Sequence, residues 1–259
     1  MNMSGIIKDS LRYPFSDWKK ILFLGLIVVI YTISINIIPF NIHSGFTYQF
    51  LVISLLINFF ILGYFFKIIQ YSLKNTKKLP KFSNWVNLFK NGFKLTFVGL
   101  IYSIPATLPL ILLTSSLLNF YLYQPTLFIF IMGAIEHIHP ILWSFVYILY
   151  FLILFPISLI AIANMAKNDG KLSYAFKFKE IFDKIKNIGW IKFYSWYLLT
   201  SVINYLIFLI GLLIVIISIL FHTYQIEKFI DALILTPYIY IFFSRSIALI
   251  YKSDQNNLN

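Results

Sequence analysis

The chain has 259 residues, 60% of them hydrophobic and only 12% charged, and a formal net charge of +12. Its mean hydropathy of +0.83 lies far from soluble domains, where roughly half the residues are apolar and a quarter charged, and such a surface would aggregate in water. Nucleic acid is excluded as the reason for the positive charge. The lysines stand in short segments between apolar runs, beside lipid headgroups, and no helix-turn-helix, zinc-finger or aromatic RNA-binding signature occurs.

Crossing a core of about 30 Å takes roughly 20 apolar residues in a helix. Six runs qualify: about 21–38, 48–73, 94–119, 141–166, 190–221 and 229–251. Ahead of the first, Ile7, Leu11, Phe15, Trp18 and Leu22 form an amphipathic stripe that Pro14 is predicted to break, with Ser16 capping the restart. The run itself ends at Asn36-Ile37-Ile38-Pro39, without a small-x-small cleavage site, so it reads as a retained helix and not a signal peptide.

Segment 67–94 carries Lys67, Lys74, Lys77, Lys78, Lys81, Lys90 and Lys94 with no acid. Within it, Lys81–Lys94 is predicted to be an amphipathic helix, with Phe82, Trp85, Val86, Phe89 and Phe93 on one face and Lys81, Lys90 and Lys94 on the other. The loop after the third run holds Glu136, His137 and His139, a weak candidate for a divalent metal, since His-x-His with one Glu is a common accident in a polar loop.

Segment 171–189 repeats the pattern. Tyr174, Ala175, Phe178, Ile181, Phe182, Ile185 and Ile188 oppose Lys177, Lys184 and Lys186. The fifth run has 32 residues, about 48 Å of helix, so one end is expected to be interfacial or tilted. Arg245 and Lys252 close the sixth.

Of the 21 Lys and Arg residues, 20 lie before the first run, in 67–94, in 167–192 or on the C-terminal side, and the opposite loops hold only Lys228. The positive-inside rule places both termini in the cytoplasm of a multi-pass protein of the cytoplasmic membrane. The predicted fold is all-α. Six transmembrane helices form three hairpins, each preceded by an amphipathic interfacial helix. One integral membrane domain spans 1–252, in pseudo-repeats of about 5–78, 79–170 and 171–252, with a polar tail at 253–259.

Lys67 and Arg245 lie one or two turns inside their spans. Such cations either contact an anion between hairpins or snorkel to the headgroups. Lys78, Lys81, Lys90, Lys94, Lys177, Lys184 and Lys186 are candidates for anionic lipid, and Trp18, Trp85 and Trp190 for interfacial anchors. Asn36, Asn58, Asn119, Asn164 and Asn204 read as packing polar groups, and Pro105, Pro109, Pro156 and Pro237 as kinks. With no cysteine, disulfides and thiol chemistry are excluded. No nucleophile elbow, P-loop, zincin motif or intramembrane carboxylate pair occurs. The expected function is a non-enzymatic, lipid-engaging scaffold or membrane-organising component without a cofactor. The alternative is a small transporter or lipid-translocating protein that uses the kinked helices and intramembrane cations.

Ser10-Leu11-Arg12-Tyr13-Pro14-Phe15-Ser16-Asp17-Trp18-Lys19-Lys20, followed by Leu24-Gly25, resembles the opening of the archaeal and bacterial membrane proteins grouped as domain of unknown function 4013. Gly63-Tyr64, Leu79-Pro80-Lys81-Phe82 with Trp85 and Leu88, Asn91-Gly92, Ile101-Tyr102, Ala175-Phe176 with Phe178 and Ile181, and the closing Arg245 fit the same pattern. The resemblance implies a membrane fold and no assigned activity. A looser likeness to the membrane domains of some glycerophosphodiester phosphodiesterases implies a lipid-proximal role.

Overall fold

The computed structural model describes residues 2–37, 46–123, 144, 146–220 and 226–253, and all regular structure among them is helical. α1, Met3–Arg12, is capped by Asn2, whose side chain accepts the Gly5 N–H at 2.9 Å. Pro14 ends it in a single 3-10 turn, Tyr13–Ser16. The cap of α2 (Trp18–Ile37) is Asp17 and not the expected Ser16. Its extended backbone presents a carboxylate that accepts the Lys20 N–H and pairs with Lys20 Nζ at 2.9 Å. A carboxylate prevails over a hydroxyl here because it also meets the positive end of the helix dipole.

α3 is Phe46–Leu73 and α4 is Trp85–Tyr123. Past a π-helical turn at Tyr150–Leu154 comes α5, Phe155–Lys167. A 3-10 turn, Leu172–Phe176, leads to α6, Phe178–Ile188, and then to α7, Trp190–Leu220. α8, Ile226–Ile230, passes through a second π-helical turn, Asp231–Leu235, into α9, Thr236–Lys252. Left-handed backbone marks three of the breaks: Asn75 after α3, Asp169 and Gly170 after α5, and Gly189 between α6 and α7. Asn, Asp and Gly are the residues that tolerate it.

Each π turn stands directly before an x-Pro step. The Phe155 N–H bonds the Tyr150 carbonyl and the Thr236 N–H the Asp231 carbonyl, five residues back in both cases. Pro156 and Pro237 follow. A proline ring clashes with the carbonyl four residues earlier, and one extra residue in the turn relieves that clash.

Five helical segments among the described residues are long and apolar enough to cross a bilayer: Trp18–Ile35, Tyr48–Leu73, Val146–Lys167, Trp190–Ser218 and Lys228–Lys252. The third expected span lies inside the 39-residue α4, where side chains beyond Leu108 are outside the described residues. The expected interfacial helix 81–94 is not separate. Residues 81–84 are non-helical, and α4 runs on unbroken from Trp85. The hydrophobic run simply continues the turns that Asn84 starts, its Oδ1 accepting the Asn87 N–H.

The chain divides into two units, residues 1–96 with 160–259, and 97–159. In the first, α9 packs on α3 and α1, and α2 packs on α3. Gly63 of α3 lies against the backbone of Leu88, and Gly92 of α4 against that of Phe59. A Cβ at either would meet a carbonyl oxygen at 1.9 or 1.8 Å. The two helices run antiparallel through this reciprocal contact, the close approach that small residues permit in lipid. Gly25 of α2 meets Leu233 of the second π turn in the same way.

α2, α4 and α7 all begin at a tryptophan: Trp18, Trp85 and Trp190. In each, the residues three, seven and ten places on are buried: Ile21, Gly25 and Val28; Leu88, Gly92 and Leu95; Phe193, Tyr197 and Thr200. Of the stripe residues expected to meet lipid, Phe15, Leu22, Val86, Phe93, Phe178 and Phe182 are exposed, while Ile7, Ile181, Ile185 and Ile188 pack inside the protein. In lipid the bulky apolar side chains gain nothing by turning inward, so the faces that approach a neighbour closely are the ones that pack.

Replacing Gly63 or Gly92 by leucine is expected to force α3 and α4 apart at a cost of about 1–3 kcal/mol, lowering Tm in mild detergent. Gly99→Ala, with open space around the new Cβ, is expected to leave Tm unchanged.

Candidate functional site

The first unit gathers its polar chemistry at one end, around the segment 74–84. Arg245, only 5% exposed, is the centre. Its Nε donates to Asp9 Oδ1 at 2.7 Å, Nη2 to Asp9 Oδ2 at 3.3 Å and Nη1 to the Thr76 carbonyl at 2.9 Å. The guanidinium also lies 4.5 Å from the centre of the Tyr13 ring. Tyr13 is on the Asp9 face of α1, one turn on, and its hydroxyl donates to the Lys78 carbonyl at 3.0 Å. Burial pushes that phenol above its ordinary pKa.

The same segment is held from several other helices. Lys20 donates to the Leu79 carbonyl at 2.7 Å, Tyr64 to that of Pro80 at 3.0 Å, and Lys67 to those of Lys81 and Ser83 at 2.7 and 3.0 Å. Lys252 bonds the Asn75 side chain. A chain passing between helix ends leaves carbonyls without partners, and these cations supply them. Lys67 and Arg245, expected to face an anion or the headgroups, are thus both engaged with the protein's own oxygens.

A second cluster centres on Asn164 of α5. Its Nδ2 donates to the Tyr174 carbonyl at 2.9 Å and to Glu180 Oε2 at 3.3 Å, while Oδ1 accepts the Tyr251 hydroxyl at 2.8 Å. Lys184 lies 4.5 Å from the Tyr251 ring centre. Lys177 bonds Glu180 at 2.7 Å and caps the Tyr174 ring at 3.9 Å. That bond holds the Glu180 carboxyl below the ordinary carboxylate range and the Lys177 ammonium above its own. The packed face of α6 is Ile181, Ile185 and Ile188, with Phe178 and Phe182 along its exposed edge.

Of the remaining candidates, Lys94 donates to the Gly170 carbonyl at 2.7 Å. Lys78, Lys81, Lys90 and Lys186 are exposed. Trp18, Trp85 and Trp190 are 51%, 43% and 43% exposed, each at the first residue of its helix. Glu136, His137 and His139 lie outside the described residues. Among those described, no group of three or more metal-ligating side chains is present.

Beside Arg245 opens a cleft of about 650 Å³, to which Lys8, Asp9, Arg12, Tyr13, Asn75 and Lys77 contribute. Sequence reasoning missed Asp9 as the arginine's partner. Nothing in the sequence signals a contact across 236 positions.

The family model for Protein of unknown function (DUF4013) matches residues 49–216. The chain belongs to this family. No curated protein matches, and no solved structure does, so the looser likeness to the glycerophosphodiester phosphodiesterase membrane domains is carried by no match.

The Arg245 side chain is 6% exposed and that of Asp9 40%, so the two partners are not equivalent. Asp9→Asn leaves a buried guanidinium without its countercharge, at a cost of up to about 3–5 kcal/mol, and is expected to lower Tm in detergent sharply. Arg245→Ala removes the buried charge itself and leaves a carboxylate that water can reach, so its cost is expected to be the lost bond to the Thr76 carbonyl and the lost packing on Tyr13. Thermal unfolding of the two variants side by side tests the order.

Proposed function

We propose that this DUF4013 member is a six-span protein with both termini in the cytoplasm, built from three units, that engages anionic lipid as a scaffold and performs no catalysis. The observation that carries the reading is the recurrence of a half-exposed tryptophan at the first residue of α2, α4 and α7. Each tryptophan adjoins a lysine-rich segment. Indole rings favour the headgroup level, and lysines beside them meet the negative surface potential of an anionic leaflet at about 1 kcal/mol each. Contacts from Lys20 to Leu79, Lys94 to Gly170 and Lys192 to Ser253 bring the lysine-rich segments to the same end of the first unit, which supports an even number of spans between them.

Native mass spectrometry of the full chain from mild detergent tests this. Anionic phosphatidylglycerol should be retained over neutral phosphatidylcholine, less so at high salt. Replacing Lys78, Lys81, Lys90 and Lys186 by glutamine should weaken the retention several-fold. Equal retention of the two lipids, unaffected by the variant, would overturn the reading.

The two π turns favour a second reading, transport, because such turns concentrate at functional sites. The later one sets Asp231 and Lys228 beside Gly211 in a pocket of about 190 Å³. Under that reading Asp231→Asn abolishes solute or lipid flux in proteoliposomes while Tm holds; flux that persists in the variant removes the pocket from consideration.

A further inference from the structure

The cleft beside α1 holds a charge imbalance that the fold does not need. Among the described residues four cations contribute to it, Lys8, Arg12, Lys77 and Arg245, against one carboxylate, Asp9. Arg245 and Asp9 neutralise each other at 2.7 Å. Lys8, Arg12 and Lys77 are exposed and have no ion-pair partner among the described residues. Lys8 and Arg12 stand one turn apart on α1, and Lys77 is presented from the segment after α3. That segment is itself clamped by the Arg245 bond to the Thr76 carbonyl.

The three free charges are therefore mounted on a braced frame. This differs from Lys90 of α4 and Lys179 and Lys186 of α6, which sit on exposed helical faces. A cleft of about 650 Å³ exceeds what a lone phosphate fills and suits a substituted one. Arg12 supplies a planar fork for two phosphate oxygens, and the lysines supply point charges. Asn75 and Ser16, also at the rim, add neutral hydrogen-bonding groups.

We propose that this cleft is a binding site for a phosphate-bearing anion, read by Lys8, Arg12 and Lys77. The inference rests on the lipid-engaging reading above and names its site. One further feature favours a lipid headgroup over free phosphate. The same N-terminal segment turns Leu11, Phe15 and Trp18 toward an apolar groove of about 360 Å³, shared with Ile203, Ile207 and Tyr238. An acyl chain can use that space, and inorganic phosphate cannot.

The test is native mass spectrometry of the full-length protein in neutral detergent, titrated separately with dioctanoyl-phosphatidylglycerol, dioctanoyl-phosphatidylcholine and inorganic phosphate. Three proteins are compared: the native chain, a cleft variant (Lys8→Gln, Arg12→Gln, Lys77→Gln) and a control variant (Lys19→Gln, Lys171→Gln, Lys179→Gln). All six positions are exposed, and Tm is read alongside to show that both variants fold.

The expected result is one saturable phosphatidylglycerol site whose affinity falls at least about tenfold in the cleft variant and changes little in the control. Phosphate binding as tightly as the lipid, with the same loss in the cleft variant, keeps the site and assigns it a soluble ligand. Loss in the control variant alone overturns the cleft while leaving the wider lipid reading in place. Absence of saturable binding by either probe overturns both.

Discussion

A guanidinium buried to 5% exposure inside an apolar protein must be compensated, and compensating Arg245 ties the molecule together. A charge in such surroundings costs several kcal/mol unless it is paired and hydrogen-bonded. The carboxylate comes from Asp9 at the opposite end of the chain, the carbonyl from Thr76 in the middle and the π face from Tyr13. Three segments that share no local sequence relation are thereby held at one point. The amphipathic α1 cannot lift away from α9 without exposing the arginine's charge, and segment 74–84 cannot swing out without freeing carbonyls already held by Arg245, Lys20 and Lys67.

The rest of the first unit follows a packing logic suited to lipid. Where water is absent from the helix surface, burying an aromatic ring against another helix brings little hydrophobic gain. Close backbone approach and interhelical hydrogen bonds carry more of the association. Gly63 against Leu88, Gly92 against Phe59 and Gly25 against Leu233 are the approaches. Trp196 donating to Ser246, and Tyr251 to Asn164, are the bonds. The large rings are left to the outer surface, and at the starts of α2, α4 and α7 they stand at the edge where apolar chain meets lysine.

Much of this arrangement was legible in the residues. Run lengths located the spans because the bilayer sets a minimum length that few soluble helices reach. Pro156 and Pro237 located backbone disturbance, although the form it took, a π turn just upstream, required the coordinates, as did the finding that Trp18, Trp85 and Trp190 each stand at a helix start. The amphipathic pattern of 171–189 matched a real helix, α6. That of 81–94 did not yield a separate one, because no left-handed residue follows Asn84 to divide it from the span, Gly92 staying helical, whereas Gly189 divides α6 from α7. Within one stripe the fold also parts two sets, since Ile181, Ile185 and Ile188 pack inward while Phe178 and Phe182 stay outside, and in this chain the outside is apolar too.

Membrane residence, helical class and the segregation of positive charge are properties of composition and local spacing, so the sequence by itself determined them. The fate of individual charges is not of that kind. Lys67 and Arg245 read from the sequence as cations that either contact an anion or snorkel to the headgroups, and only the tertiary structure decided that they serve carbonyls and an aspartate of their own chain. The physical reason is that a buried cation's partner is whatever oxygen the fold brings within about 3 Å, and here that oxygen lies as many as 236 residues away. The same folding groups Lys8, Arg12 and Lys77 around one cleft with no ion-pair partner among the described residues, an arrangement that no linear reading of three scattered cations contains.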